Sequence, residues 1–355
     1  MKIFLNGYYG AGNLGDDLME RLILDHLLNR RKDVTECIVN YVSPPKSLHS
    51  GIRVHRKHSG RLGQLFQYVS DVRECDAYIW GGGTFLYSGP DNGWFNLFLI
   101  FLHIFIARLL GLKVLLIGIG YGPLNGIASR LLANSIVRMS NLITARDSKS
   151  FEEMKGLNPR TFITDDLVFA LPVQIEEKKD DSPFSVAISL VYYHTYDFGL
   201  LLDVLGRLTS AYPAVSIHFV PFLENRNISD LAVHEALAGM TRERFPHMST
   251  HIHAGVNPDS KVQIIANSDL VMASRLHALV LATLHRKRIY PIIYHEKVEK
   301  FMRRIDFSGE YINSANSVQS LGVPSSYTAV NIEGAWHNFV CLDKVLAEPG
   351  AATTG

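Results

Sequence analysis

The chain has 355 residues, 47% hydrophobic and 19% charged, enough for two ordinary domains that each bury a core. Its 35 basic and 34 acidic side chains nearly cancel and no basic tail is present, which removes nucleic acid from the expected partners. Cys37, Cys75 and Cys341 are widely spaced without a CxxC pair, which argues against a disulfide framework or structural zinc and for a reducing, cytoplasmic compartment.

Apolar strand runs alternate with helical runs from the N-terminus. MKIFLNG is too short for a signal-peptide core and reads as a first strand, followed by the helix LMERLILDHLLNRR and the strand ECIVNYV. A polar, basic stretch surrounds His49 to Arg61, and then DAYIWGG forms the next strand. Residues 94–110, WFNLFLIFLHIFIARLL, are almost entirely apolar, yet fall short of the roughly 20 residues that a membrane span requires and are interrupted by Asn96, His103 and Arg108. Between the strand before it and VLLIGIG after it, this segment suits a crossover helix of a parallel sheet, with a peripheral contact at the inner face of a membrane as the alternative. The helix IASRLLANSIVRMS and the strand LITAR continue the series.

The polar run QIEEKKDDSP is the strongest linker, and a second alternating series follows it, from FSVAISL to RIYPIIY. The expectation is an α/β protein of two Rossmann-like domains facing a cleft: residues 1–173, a linker at 174–184, residues 185–346, and a disordered tail at 347–355.

Between the first strand and the first helix stands GAGNLGDD, with the G-x-G-x-x-G spacing of a dinucleotide loop. Asp16 and Asp17 directly follow the last glycine, where they would repel a pyrophosphate at the helix N-terminus, and the second strand ends in NYVSPP without the acid that binds a ribose. Two readings of the loop remain open. Either an aspartate caps the helix, or Asn13, Asp16 and Asp17 line the cleft and bind a hydroxyl-rich substrate.

Two other strand ends have cationic chemistry. Arg146 ends the strand LITAR just before a helix that starts at Asp147 or Ser148, and Arg275 and His277 occupy the same kind of position in MASRLHAL, with Ser274 available as a cap. The carboxyl end of a strand beside a helix N-terminus is where open α/β sheets bind ligands, and paired arginines suit a small molecule bearing carboxylate and phosphate. The structural alternatives are a pairing of Arg146 with Glu152 or Glu153 and a core role for His277. Of the basic residues in HEKVEKFMRRI, Lys297 stands nearest a strand end and is the one placed to reach a ligand.

GYYGAGNLGDD, GGGTFL, GIGYGPL, TARDSKS, TDDLVF, ASRLHALVLA and HEKV, in this order from about Ile3 to about Ile305, resemble the motifs of the polysaccharide pyruvyl transferase family. Tyr121 in GIGYGPL replaces a usually smaller aliphatic residue, and TDDLVF lacks a proline often found there; both departures bear on the acceptor. The resemblance implies an architecture similar to GT-B glycosyltransferases and phosphoenolpyruvate as donor, surrounded by Arg146, Arg275, Leu276 and His277, with Lys297 added from the strand-end reading. It implies transfer of the carboxyvinyl or pyruvyl group to hydroxyls of a polysaccharide or its lipid-linked precursor, closing a ketal and releasing phosphate. His277 is the expected acid or base, and Asn13, Asp16 and Asp17 fall on the acceptor side. No cofactor and no metal are expected, since no acidic cluster has magnesium-like spacing. The competing readings are a nucleotide-sugar glycosyltransferase of the same architecture and a non-catalytic sugar-binding protein.

Overall fold

The computed structural model describes residues 1–45, 48–55, 61–89, 93–173, 182–225, 228–319, 326–328 and 332–348. The chain divides into two compact units: residues 1–11, 16–170 and 331–355 form the first, and residues 12–15 and 171–330 the second.

The first unit contains β1 (Lys2–Tyr9), the greater part of α1 (Leu14–Asp25), β2 (Glu36–Tyr41), β3 (Ile52–Val54), α2 (Arg61–Arg73), β4 (Ala77–Gly81), α3 (Trp94–Leu109), β5 (Lys113–Ile119), α4 (Ile127–Met139), β6 (Leu142–Ala145), α5 (Ser148–Lys155) and β7 (Thr161–Ile163). Its seven strands are all parallel, in the order β3-β2-β1-β4-β5-β6-β7. Strands of such a sheet are covered on both faces and read as continuous apolar runs; β5, KVLLIGI, is buried from Val114 onward. Phe4, Tyr78, Leu116 and Ile136 belong to the core between the sheet and its helices.

In the second unit the chain runs through β8 (Phe184–Ser189), α6 (Phe198–Ala211), β9 (Val215–Phe219), α7 (Leu231–Arg244), β10 (Ser249–Ile252), α8 (Pro258–Asn267), β11 (Leu270–Ala273), α9 (Leu276–Leu284), β12 (Arg288–Pro291) and α10 (Glu296–Arg304), then a small hairpin of β13 (Tyr311–Ile312) and β14 (Val318–Gln319). The main sheet is parallel, ordered β10-β9-β8-β11-β12. In each sheet the order reverses beside the first strand of the unit, between β1 and β4 and between β8 and β11. Such a reversal opens a crevice beyond the carboxyl ends of the strands, and both sets of site residues lie at these ends.

Two boundaries differ from the sequence reading. The last helix, α11 (Ile332–Ala347), belongs to the first unit, because Asn338 is buried there: its Nδ2 donates to the Asp165 and Ala335 carbonyls, and its Oδ1 accepts from Thr144 and Thr164 at 2.5 and 2.9 Å. Residues 12–15 cluster with the second unit, where Asn13 bridges Leu223 and the Leu14 amide donates to the Phe222 carbonyl at 2.8 Å. Most of the expected linker, 174–181, and the tail from 349 lie outside the described residues.

Candidate active site

In the first unit, Arg146 follows the carboxyl end of β6 directly. Its Nη2 donates to the Thr84 hydroxyl at 2.5 Å, and its Nη1 lies 3.4 Å from Asp166 Oδ2, so Asp166 supplies a carboxylate that the local sequence did not point to. Asp147 caps α5 by accepting from the Ser150 amide at 2.8 Å. A Cβ at position 120 would lie 2.7 Å from Thr84 Oγ1 and 3.2 Å from Arg146 Nε, so the glycine there lets this pair approach the backbone closely. The two residues before Asp166 are held by α11: Asn338 binds Thr164 and the Asp165 carbonyl, and a Cβ at Gly334 would meet Asp165 Oδ2 at 1.8 Å.

Asp16 and Asp17 stand in the first turn of α1. Asp17 Oδ1 accepts from the Gly10 amide at 2.9 Å, and Asp16 Oδ1 lies 3.5 Å from where a Cβ on Gly83 would be. One turn on, the Glu20 carboxylate is 9% exposed and hydrogen-bonded by the Tyr41 hydroxyl. Burial raises its pKa to about 7, Asp17 adds to the rise, and the Tyr41 hydrogen bond opposes it. The folded protein therefore holds this proton more tightly than the unfolded chain. The stability tied to Glu20 is complete below about pH 4.5 and is lost as pH rises through 7, by up to about 3 kcal/mol. Thermal melts of Glu20→Gln across this range should show less decline than wild type and a higher Tm at pH 8. Parallel profiles would refute the assignment.

The second unit places its candidates around the switch between β8 and β11. Arg275 ends the turn after β11 and is the residue before α9, and it makes a two-point contact with Asp230: Nε donates to Oδ2 at 2.8 Å and Nη2 to Oδ1. Asp230 is fully buried and also accepts from the amides of Tyr192, Phe222 and Leu223 at 3.1, 3.2 and 2.9 Å. Burial opposes the Arg275 charge, but hydrogen bonding and attraction to Asp230 outweigh it and the pKa is raised. Among the described hydrogen bonds Nη1 has none, so one edge of the guanidinium is fixed while the other stays available.

Ser274 does not cap α9. Its hydroxyl accepts from the Val191 amide at 2.9 Å and lies 2.7 Å from the Tyr196 hydroxyl, tying β11 to the loop after β8. Leu276 begins α9 with its side chain in the core. His277 follows, half-buried, with its ring against Gly15, where a Cβ would lie 1.8 Å from Nδ1. The last glycine of GAGNLG is thus the seat of the histidine. The other two are equally constrained by protein: a Cβ on Gly10 would meet the Ser43 carbonyl at 1.9 Å, and one on Gly12 the Glu224 carbonyl at 2.2 Å. With the Gly10 amide bound to Asp17, the loop is accounted for without a nucleotide.

Lys297 lies in the first turn of α10, its Nζ 5.9 Å from the centre of the Tyr294 ring. The Tyr294 hydroxyl lies 2.7 Å from that of Tyr193, and His194 packs against both Tyr294 and Tyr196. Sequence reasoning missed Thr84, Asp166, Glu20, Asp230 and this aromatic group. For Asp166 the TDD motif is a signal; for Asp230 the local sequence carries none.

The model of the polysaccharide pyruvyl transferase family matches residues 13–296, a range that includes Asn13, Arg146, Arg275 and His277. The chain belongs to the polysaccharide pyruvyl transferase family. No curated protein sequence matches it significantly. Among solved structures it is similar to the UDP-GlcNAc 2-epimerase of Methanocaldococcus jannaschii, with 8% identity and a TM-score of 0.60 over 97% of this chain and 100% of that one. A second UDP-N-acetylglucosamine 2-epimerase gives 10% and 0.62 over 100% and 99%. The Neisseria meningitidis enzyme, bound to UDP-GlcNAc, gives 12% and 0.56 over 97% and 92%. At this identity the likeness shows the fold alone, two Rossmann-like domains of the GT-B kind. Among the described residues no group of histidine, cysteine and acidic side chains is arranged to hold a metal ion, and no helix is long and apolar enough to cross a membrane.

Proposed function

We propose that this pyruvyl transferase uses phosphoenolpyruvate as donor and forms a ketal on a saccharide. The observation that carries the reading is the β11–α9 turn: Arg275 is locked on one edge by Asp230 and open at Nη1, and His277 follows two residues later on its glycine seat. A guanidinium there recognises an oxyanion, and an imidazole beside it is a group that can give or take a proton. The family resemblance also assigns Arg146 to the donor.

In the proposed reaction an acceptor hydroxyl oxygen bonds to C2 of phosphoenolpyruvate and gives up its proton while C3 gains one, leaving a tetrahedral ketal phosphate. The C2–O bond to phosphate then breaks, its electron pair leaving with the phosphate. A second hydroxyl bonds to C2 and loses its proton, which closes the ketal. His277 is assigned the proton transfers and Arg275 the charge building on the departing phosphate. Asn13, Asp16 and Asp17 are assigned to the acceptor. The first unit also holds a polar pocket of about 470 Å³ lined by Tyr121, Arg130, Asn134, Lys149 and Glu153, where the Tyr121 hydroxyl donates to Asn134 Oδ1 at 2.6 Å. The acceptor in this reading is a sugar of a polysaccharide or of its lipid-linked precursor.

Thermal shift separates the competing readings. Phosphoenolpyruvate should stabilise the protein more than UDP-GlcNAc or a dinucleotide, and phosphate should be released only when a glycan acceptor is present, with a product heavier by the pyruvyl ketal. Stabilisation by UDP-GlcNAc alone would favour a nucleotide-sugar enzyme, and product that retains phosphate would overturn the ketal chemistry.

A further inference from the structure

Helix α3 has two apolar faces and only one is packed. Leu97, Ile104 and Ala107 are buried against the first unit, while Trp94, Phe95, Phe98, Leu99, Phe105 and Leu109 are exposed by 38 to 75%. Phe95, Phe98, Phe105 and Leu109 of the outer set, with the half-buried Leu102 between them, make a stripe along a helix of 16 residues, about 24 Å long. Its packing neighbour α4 continues the surface with Ile127 and Leu131, 79 and 61% exposed. Isolated exposed apolar residues are ordinary, but an aromatic stripe continued onto a second helix is a contact surface awaiting a partner.

The charge around this surface indicates which partner. No aspartate or glutamate occurs between Asp91 and Asp147, whereas 34 acids in 355 residues would place about five in a stretch of that length. Of the basic residues in the same stretch, Arg146 is paired with Asp166 and Lys113 is bonded to the Val345 and Leu346 carbonyls, which leaves Arg108, Arg130 and Arg138 on the two helices. Arg108 at the end of α3 and Arg130 and Arg138 on α4 are exposed, so the two helices combine aromatic side chains with positive charge and carry no negative charge of their own. A protein partner would place no premium on the missing acids, but an anionic surface does, and aromatic rings with arginines are the pairing that headgroups and acyl chains accept together.

We propose that the outer face of α3, with Ile127, Leu131, Arg130 and Arg138 of α4, docks in the plane of an anionic lipid bilayer. The helix lies in the interface without spanning it: Phe95, Phe98 and Phe105 enter the acyl boundary and the arginines stay among the headgroups. This inference concerns the first unit's surface and stands whether or not phosphoenolpyruvate is the donor.

The test is co-sedimentation of the full chain with phosphatidylcholine vesicles and with vesicles that also contain phosphatidylglycerol. Binding is expected to the second kind and to weaken with salt. Phe98→Asp/Phe105→Asp should lower the partition coefficient at least about tenfold. Arg130→Glu/Arg138→Glu should lower it by about fivefold for each charge removed. Both pairs are exposed, so melting curves should match wild type, and turnover of a water-soluble glycan should be unchanged in the phenylalanine pair. Failure to bind anionic vesicles would overturn the proposal, as would sedimentation velocity showing a dimer that Phe98→Asp/Phe105→Asp converts to monomer, since a second copy would then cover the face.

Discussion

Replacing His277 with alanine is expected to lower pyruvyl transfer by about two to four orders of magnitude, the usual contribution of a placed acid or base. Binding of phosphoenolpyruvate should survive, because Arg275 is oriented by Asp230 without help from the imidazole. A partner substitution separates placement from chemistry. Gly15→Ala leaves the histidine in the sequence but puts a methyl group 1.8 Å from Nδ1, so the ring or the start of α1 must move. A displacement of about 1 Å costs on the order of 100-fold in a reaction that depends on alignment. The signature is therefore a kcat loss in both variants with the thermal shift by phosphoenolpyruvate retained, read from phosphate release at saturating donor. Full turnover by His277→Ala with the true acceptor would remove the mechanism.

Much of the fold was legible because parallel strands buried on both faces read as unbroken apolar runs: KIFLNG, DAYIWGG, VLLIGIG and DLVMAS each lie over an observed strand. What was not legible depended on partners distant in the chain. The periodicity of α11 announces a helix but not which sheet it covers; that is decided by Asn338 bonding to Thr144, 194 residues away. The short strands β3, β13 and β14 are two or three residues each, too few for a pattern.

The site divides in the same way. Arg146, Arg275 and His277 stand at strand-to-helix junctions, which two flanking patterns mark in the sequence. Their aspartates stand 20 and 45 residues from the arginines they hold, and nothing in local spacing links them. Asp230 was disguised further by its place before α7, where an aspartate normally caps; here the side chain makes no capping bond and turns to Arg275 and three amides. The glycine loop misled in the opposite direction. Its spacing is that of a phosphate cradle, but the atoms that demand glycine are two carbonyls and an imidazole.

Asp230→Asn should be among the most damaging single changes to stability. It leaves the Arg275 guanidinium 8% exposed without its counter-charge, and it turns one acceptor oxygen into a donor facing groups that already donate. Breaking a buried pair from one side typically costs about 3–5 kcal/mol. The double variant Asp230→Asn/Arg275→Met removes the stranded charge as well and should recover part of that loss, so the two changes are less than additive. Donor binding should show the reverse pattern: neither variant should be shifted by phosphoenolpyruvate, because in one the guanidinium has lost its orientation and in the other it is gone. Denaturant melts with and without the donor read both quantities at once. If Asp230→Asn melts like wild type, the pair is not holding the β11–α9 turn. If the double variant still responds to phosphoenolpyruvate, Arg275 is not the group that binds it.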